Sequence, residues 1–522
     1  MQGVHTLVAH GKLRAVFLLV ATVLGAEHFE GYSFYTGDLH VHTGISGDGM
    51  SDDLGNCRAE SCGNAYDVVQ HARDEGLDFV SITDHVNNLL AGEQSTWQDV
   101  HEQVIAGNDP DGGFVTIPGA EVHFTLWNDS PLGHKNLYFF GDDATLADLT
   151  MEDTRFHGDS AKWDACEGIW TWAEALEKDW GEIALVPHHT AGISPMTTWW
   201  ECHDPRYQIA AETYSEHGNS LHGAGWDLPS SEAVPTGWVH YAMDPDGLAH
   251  QLAFFGSTDT HDSWPGRTCD YGLDGYYGGG LAMVVLDEGD TFDRAAIYDA
   301  IVDRRTYTTS GLKIPVVVSW HNEGLEVGGL GDHVEVVEGT PLEVQVKLPV
   351  EAVPWVVGVD LVTPDGETLL EADGQKWSGT VDDIPAWAYA RVRFEGASYY
   401  GAEGCADGGD DTQERIWMSP SWFTVVEAPP EDTAPPPEDT SPPGQVDSDP
   451  QLDTSPPVVE DTSPPEDPPN RKEPDGGEPY VPVEITPTCG GCQGGGFAGL
   501  WLLAVPLIRR RTRSRAAPRS AR

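Results

Sequence analysis

The sequence predicts an α/β barrel-like domain over residues 27–311, followed by a small all-β sandwich over 312–427. Three observations carry this. Helix-like and strand-like stretches alternate in the first region, the texture of helices packed on a sheet. Histidines and carboxylates cluster where the strand-like runs end, which is where barrel enzymes keep their chemistry. After Gly311 the helical periodicity stops, and short runs with period-two alternation follow.

Lys12 and Arg14 precede an apolar run from Ala15 to Leu24, and Gly25 and Ala26 lead into polar sequence at Glu27. An apolar run of about ten residues behind a basic flank reads as a secretory signal and is too short to span a bilayer. Residues 1–26 are therefore expected to be a signal peptide. Residues 64–75 carry apolar side chains at helical spacing, with Asn64 placed to cap the start. Leu77 to Ile82 reads as a strand ending in Thr83-Asp84-His85, and Phe114 to Pro118 as a strand leading to Gly119-Ala120-Glu121. Trp170 to Lys178 is a second helix; Ile183 to Val186 leads to His188, and Phe254-Phe255-Gly256 to Asp259. In the second region Pro315–Trp320, Val334–Val337, Leu342–Val346 and Ala390–Phe394 are strand-like, with Pro364-Asp365-Gly366 as a turn between them. It carries no ligand cluster, so a structural role is expected.

Residues 428–488 are dominated by Pro, Asp, Glu, Thr and Ser, and Glu-Asp-Thr-(Ala/Ser)-Pro-Pro recurs at Glu431, Glu438 and Glu460. Such a stretch cannot bury a core, and proline and self-repulsion keep it extended, so it reads as a stalk. Residues 489–522 hold Cys489-Gly490-Gly491-Cys492, an apolar segment from Phe497 to Ile508 and Arg509-Arg510-Arg511. This ending resembles the C-terminal sorting signals of bacterial surface proteins, notably the myxobacterial type, and implies anchoring at the cell envelope or outer surface.

The 522 residues include 85 acidic and 28 basic ones, for a net charge of −57. That surface repels nucleic acid and anionic lipid, so direct nucleic-acid binding is not expected. Hydrophobic residues at 39%, with 18 Trp, suffice for a large core. Export would permit disulfides. Cys57, Cys62, Cys166, Cys202, Cys269 and Cys405 lie in the folded part. Six cysteines allow about 15 pairings, and the sequence does not choose among them.

The chemistry lies in four patches: Gly37-Asp38-Leu39-His40-Val41-His42-Thr43, Thr83-Asp84-His85, Val186-Pro187-His188-His189-Thr190 and Ser257-Thr258-Asp259-Thr260-His261. His40 and His42, two apart at a strand end, point to one side and can share a metal. Asp48, Glu121 and His134 add ligand types between the patches, and Asp259 and His261 repeat the spacing of two. A lone histidine is more often packed or exposed than a ligand. Eight or nine such groups at strand ends are not explained by packing, because buried imidazoles and carboxylates cost energy unless paired. Nitrogen and oxygen ligands in this number suit two or three divalent ions of zinc, manganese or iron.

The order D-L-H-x-H-T, T-D-H, G-x-E, P-H and D-x-H resembles the polymerase-and-histidinol-phosphatase (PHP) metallohydrolase superfamily. Gly133-His134-Lys135-Asn136, Glu212-Thr213-Tyr214-Ser215-Glu216-His217-Gly218, Pro265-Gly266-Arg267 and Arg305-Thr306-Tyr307-Thr308-Thr309-Ser310-Gly311 are similar to its exported, carbaryl-hydrolase-type branch. The resemblance implies a distorted (β/α)7 barrel before the β-sandwich. It implies a first metal on His40, His42, Glu121 and Asp259, and a second on Glu121, His134 and His188. A third would sit on Asp48, His85 and His261. Asp52 and Asp53 rival Asp48, His189 rivals His188, and His123 is a further candidate. His217 or His189 would protonate a leaving group, and Arg267 would clamp an anionic oxygen; Asp84 would orient a neighbouring ligand. The expected activity is hydrolysis of a small-molecule phosphoester. A carboxylic or carbamate ester on the same metals is the alternative, and a surface binding protein with a degenerate barrel the alternative of another class.

Overall fold

A computed structural model describes residues 27–43, 46, 65–86, 94–123, 132–156, 162–192, 197–222, 234–261, 263–267, 278–395 and 414–428. The expected signal peptide, nearly all of the expected stalk and the expected anchor lie outside these residues, as do Asn64, Cys57, Cys62, Cys269 and Cys405. Among the described residues no helix is long and apolar enough to cross a membrane.

The frame of the first part is a mixed sheet. Strands β2 (Tyr32–Val41), β3 (Phe79–Ile82) and β4 (Val115–His123) lie parallel and adjacent. β5 (His134–Phe139) and β6 (Ile183–Pro187) extend them antiparallel. On the other side β2 pairs antiparallel with β1 (Glu27–Phe29) and with β10 (Leu281–Asp287), which pairs with β11 (Thr306–Thr309). A separate three-stranded sheet holds β7 (Ala210–Ser215) between β8 (Gly218–Asn219) and β9 (Ala253–Gly256). Helices α1 (Ala65–Asp74) and α2 (Gln94–Gly107) connect the parallel strands. α3 (Asp143–Leu146), α4 (Lys162–Trp180), α5 (Val239–Met243) and α6 (Arg294–Val302) complete the set among the described residues. α1 forms where the periodicity places it. It buries Ala65, Val68, Val69 and Ala72 on one stripe, against Val80 and Ile82 of β3 and Val100 and Val104 of α2. It stops before Gly76, whose φ of 69° suits the left-handed end of a helix.

The second part contributes two layers. One sheet has the order β13 (Leu325–Gly329), β12 (Val317–Asn322), β15 (Leu342–Lys347), β19 (Lys376–Val381), β18 (Glu371–Asp373). The other contains β14 (His333–Val337), β16 (Val356–Thr363), β17 (Gly366–Leu369), β20 (Trp387–Phe394), β21 (Arg415–Met418) and β22 (Ser421–Val426). Period-two alternation holds in β15, where Leu342, Val344 and Val346 are buried and Glu343 is exposed.

The expected distorted (β/α)7 barrel followed by a small all-β sandwich is not what the chain builds. Among the described residues there is no closed barrel, and the structure is richer in strand than in helix. Two local facts are responsible. β4 to β5 and β5 to β6 are antiparallel connections, so the parallel alternation that would close a barrel stops at β4. The β layer is also not separate: β21 pairs with β11, joining the two parts in one 14-stranded sheet. One hydrophobic core follows this continuity, holding Trp200, Tyr214 and Phe254 of the first part with Trp320, Tyr389 and Trp417 of the second.

Cys166 of α4 is bonded to Cys202, 36 residues on, with a Cα–Cα distance of 5.7 Å. Closing a loop of that length stabilises by about 4 kcal/mol in the chain-entropy model. Peptide mapping without reduction is expected to recover the Cys166–Cys202 pair, and the double serine variant to lose roughly 2–4 kcal/mol in urea unfolding; alkylation of both thiols in unreduced protein would contradict it.

Where β11 meets β21, Glu414 accepts a hydrogen bond from the Ser310 hydroxyl. Burial pushes its pKa from 4.5 up to about 7, against the lowering effects of Ser310 and Arg415. The folded state then holds a proton that the unfolded chain has lost, so this group's contribution to stability falls as pH rises from 4.5 to about 7 and is flat above. Glu414→Gln is expected to flatten that slope and to gain on the order of 1–2 kcal/mol at pH 8 over wild type, and nothing at pH 4. Urea unfolding at the two pH values reads the difference.

Candidate metal centre

The site is assembled by strand ends held in register. His42 N donates to Thr260 O (3.0 Å), Asp259 N to His40 O (2.9 Å) and Thr83 N to Val41 O (2.9 Å), while Glu121 N reaches Thr83 O and Asp84 O (both 3.1 Å). Four segments distant in sequence thereby present their side chains to one buried volume. Glu121 lies within β4 rather than in the loop after it, since that strand runs on to His123. His123 closes β4 opposite His134.

Glu121 is the hub. Its Oε2 lies 3.3 Å from His40 Nε2, 3.2 Å from His42 Nε2 and 3.2 Å from His85 Nδ1. Its Oε1 lies 2.8 Å from His134 Nδ1 and 3.2 Å from His188 Nε2. Asp259 Oδ1 faces the first group, 3.2 Å from His40 Nε2 and 3.5 Å from His42 Nε2, and its Oδ2 lies 3.2 Å from His217 Nε2. The His261 ring stacks on that of His42 at 4.2 Å.

Among the described residues, three sets of ligand atoms, each mutually within 4.8 Å, could hold a metal ion: His40, His42, Glu121 and Asp259; Glu121, His134, His188 and His189; and His42, His85 and His261. The first is the set expected for the first metal. The second adds His189 to the expected trio. The third has His85 and His261 as expected, with His42 in reach; Asp48, Asp52 and Asp53 lie outside the described residues. Arg267 is half-buried with its guanidinium over the Trp264 ring, 5.6 Å from the centroid.

The donor geometry fits divalent ions. Atoms bound about 2.1 Å from one centre lie roughly 3.0–3.4 Å apart in octahedral or tetrahedral arrangements. The separations around His40 Nε2 are 3.1 Å to His42 Nε2, 3.3 Å to Glu121 and 3.2 Å to Asp259. His189 Nδ1, a buried atom, makes no hydrogen bond among the described residues, which leaves it open to a ligand.

Electrostatics divide the imidazoles. Burial works to lower His40, but Asp259 and Glu212 outweigh it and hold its pKa well above the usual histidine range. Burial likewise opposes, but Asp259 and Glu121 prevail, in raising His42 to about 10. On the Oε1 side burial wins: His188 is lowered to about 3, and His189 falls well below its ordinary value, assisted by His188 and His134. Against its own burial, His217 is raised to about 9 by Asp259. Asp259 is held well below the ordinary carboxylate range by His40, His217 and His42, although burial opposes this.

A supporting ring fixes the ligands. Ser46 Oγ lies 2.7 Å from His42 Nδ1 and accepts from His85 N (2.9 Å). Asp84 accepts from Thr43 N (2.6 Å) and Thr43 Oγ1 (2.8 Å), so it anchors the residue after His42. Asp38, fully buried, accepts from Thr258 N, Gly266 N and His40 N, tying the first patch to the last. Glu212, on β7, is the main addition to the sequence reading. Its Oε2 lies 2.8 Å from His40 Nδ1 and accepts from the Ser257 hydroxyl. Its signal was available: a carboxylate inside the otherwise uncharged, fully buried strand Ala210–Ser215.

No protein-family model matches the chain, and no curated protein matches it. The class that the structure itself defines is a protein with buried His/Glu/Asp clusters able to hold metal ions.

Glu212 faces His40 Nδ1 at 2.8 Å, an arrangement that would present Nε2 to a metal once the ring gives up its second proton. Glu212→Ala is expected to weaken zinc binding 10–100-fold in a chelator competition with an unchanged circular dichroism spectrum, and Glu212→Gln to lose less. Unchanged affinity in both variants would remove Glu212 from that role.

Proposed function

We propose that this protein is an exported, surface-anchored metal-dependent hydrolase of small-molecule phosphoesters, of the PHP type. The observation that carries the reading is the split carboxylate of Glu121, with His40, His42 and His85 on one oxygen and His134 and His188 on the other. One carboxylate facing two histidine groups is the arrangement a bridged metal pair requires. Divalent ions there would supply Lewis-acid polarisation of an ester oxygen and an activated water near neutral pH.

The remaining tasks fall to the chain's own groups. Asp259 and Glu121 set the negative charge of the site, and Glu212 and Ser46 orient the imidazoles. His217 stands beside Asp259 with its side chain 26% exposed, enough to meet a bound substrate. Held protonated by that carboxylate, it is the group suited to donate a proton to a leaving oxygen. His189, neutral and buried, is suited to join the ligands on the Oε1 side rather than to act as an acid. Arg267, its guanidinium over the Trp264 ring, is the remaining candidate for clamping an anionic oxygen. A phosphoester is preferred to a carboxyl ester because of the resemblance to PHP hydrolases; its negative charge would have to be drawn in by the local charge of bound cations against a chain of net charge −57.

Purified protein is expected to contain bound zinc, manganese or iron by elemental analysis, and Asp259→Asn to lose most of it together with hydrolysis. His217→Gln should keep the metal and lose roughly 100-fold in kcat for phosphoesters with poor leaving groups, and much less for good ones. Protein without metal that shows no hydrolysis of phosphomonoesters or phosphodiesters after metal addition sinks the reading. Turnover confined to carboxyl or carbamate esters would shift the substrate class while leaving the site intact.

A further inference from the structure

Two imidazoles outside the candidate metal-holding sets stack on each other. The ring centroids of His203 and His250 lie 3.8 Å apart, with 21° between the ring planes. His203 belongs to the connection between β6 and β7, and His250 to the connection between α5 and β9. The stack therefore clamps two segments that no strand pairing holds together at this point.

The two segments are anchored unequally. Beside His203, Cys202 is tied to α4 by its disulfide, and Tyr207 N and Gln208 N both fold back onto Asp204 O (3.2 and 2.9 Å). On the other side Asp244 to Ala249 form a mostly exposed turn, in which Gly247 N and Ala249 N donate to Asp244 O (3.0 Å each) and Leu248 packs at the edge of the core. Ala249 has φ of 53°, in the left-handed region that a residue with a Cβ avoids. His250 closes the turn behind this strained residue. Its N donates to Ala242 O (2.8 Å), its Nε2 donates to Trp200 O (2.8 Å), and its ring rests on His203.

Protons are unwelcome in the pair. His203 Nδ1 is buried and has no hydrogen-bond partner among the described residues. Burial, then His250 and Lys135, lower the pKa of His203 to about 3. Lys135 of β5 is itself fully buried. Burial lowers His250 too, opposed by its bond to Trp200 O and by Glu201, which also accepts from the Tyr241 hydroxyl (3.2 Å). The charged groups facing the pair are thus Lys135 beside His203 and Glu201 beside His250. A first proton is best tolerated on His250; a second would set like charges ring to ring in a poorly screened place.

We propose that the His203–His250 stack is an acid-sensitive latch, closed while the rings are neutral and opened on the Asp244–His250 side when protons enter both. That side yields because it carries the backbone strain and no disulfide. Its opening would loosen the approach to β9, the strand that delivers Asp259. The sign follows from the lowered pKa of His203: its contribution is complete above 6.5 and is lost as pH falls toward 3.

Hydrogen–deuterium exchange of the full chain, read by mass spectrometry and corrected for the pH dependence of intrinsic exchange, tests this. The opening equilibrium over residues 244–252 is expected to rise about tenfold for each unit from pH 6 to pH 4, the signature of one excluded proton, while β12 and β15 keep their protection. His203→Phe leaves a flat ring on His250 without titrating nitrogens, and should remove most of that slope with protection at pH 7.5 unchanged. His250→Gln keeps a donor for Trp200 O but no ring, and should lower protection at pH 7.5 several-fold while flattening the slope. The wild-type slope should survive prior removal of metal by a chelator, which separates the latch from any acid lability of a metal site. Protection over 244–252 that is constant from pH 6 to pH 4, that is lost only together with β12 and β15, that keeps its slope in either variant, or whose slope vanishes in metal-free protein would each overturn the proposal.

Discussion

One buried carboxylate sets the terms for the rest of the site. Glu121 meets five imidazoles within 3.3 Å and is itself 1% exposed. Two carboxylate oxygens offer about four acceptor positions. Five rings cannot all be satisfied as donors, and a carboxylate removed from water costs several kcal/mol unless its charge is answered. Protons answer it unevenly: His40 and His42 hold theirs firmly, while His188 and His189 are driven neutral by burial. A divalent ion on each side would answer the same charge through nitrogen lone pairs and release those protons.

Such a cluster persists only if the scaffold holds it together without the ion. Backbone hydrogen bonds between strand ends do part of this, and Asp38 does another part by joining His40 N to Thr258 and Gly266. The cost is visible in the backbone. His189 has φ of 32° and Asp259 φ of 57°, both in the left-handed region that side chains with a Cβ avoid. Strain of this kind, of order 1–3 kcal/mol per residue, survives where surrounding structure over-determines the conformation. Here that surrounding structure is the cluster the two residues serve.

Most members of the candidate metal-holding groups were legible in the sequence because chemistry and spacing coincide. A pair such as His40 and His42 projects to one side of an extended chain whatever sheet it joins, and Thr83-Asp84-His85 ends a strand in either topology. The barrel was not legible. The run of helix, strand and ligand-bearing loop is the same for a closed ring and for a mixed sheet, and the direction of β5 and β6 depends on partners far along the chain. The break at Gly311 marked a real change in texture, yet the pairing of Tyr307 with Met418 is a contact across more than a hundred residues that no local pattern announces. Glu212 stood out as a residue, but its role did not, for a related reason: its partner, His40, is 172 residues away. Cys166 and Cys202 posed the same problem, with many pairings open until the fold chose one.

The continuity between the two parts bears on the site itself. β9 delivers the chain to Asp259, and its Phe254 N donates to Ser419 Oγ (2.8 Å), beyond β21. Thr306 Oγ1 donates to Phe254 O (2.9 Å), and Ser419 N returns to Thr306 O (3.3 Å). Phe254, Tyr389 and Trp417 lie in the same core, with Tyr389 edge-on to Phe254 at 5.3 Å. A large-to-small change at a buried aromatic of this kind costs about 3–5 kcal/mol. The energy holding β9 therefore comes substantially from residues beyond 312, and the direction of the Asp259 carboxylate inherits it. The β layers are thus not an appendage to a self-sufficient unit that carries the His/Glu/Asp cluster. They form the back wall that keeps one of its two central carboxylates in place.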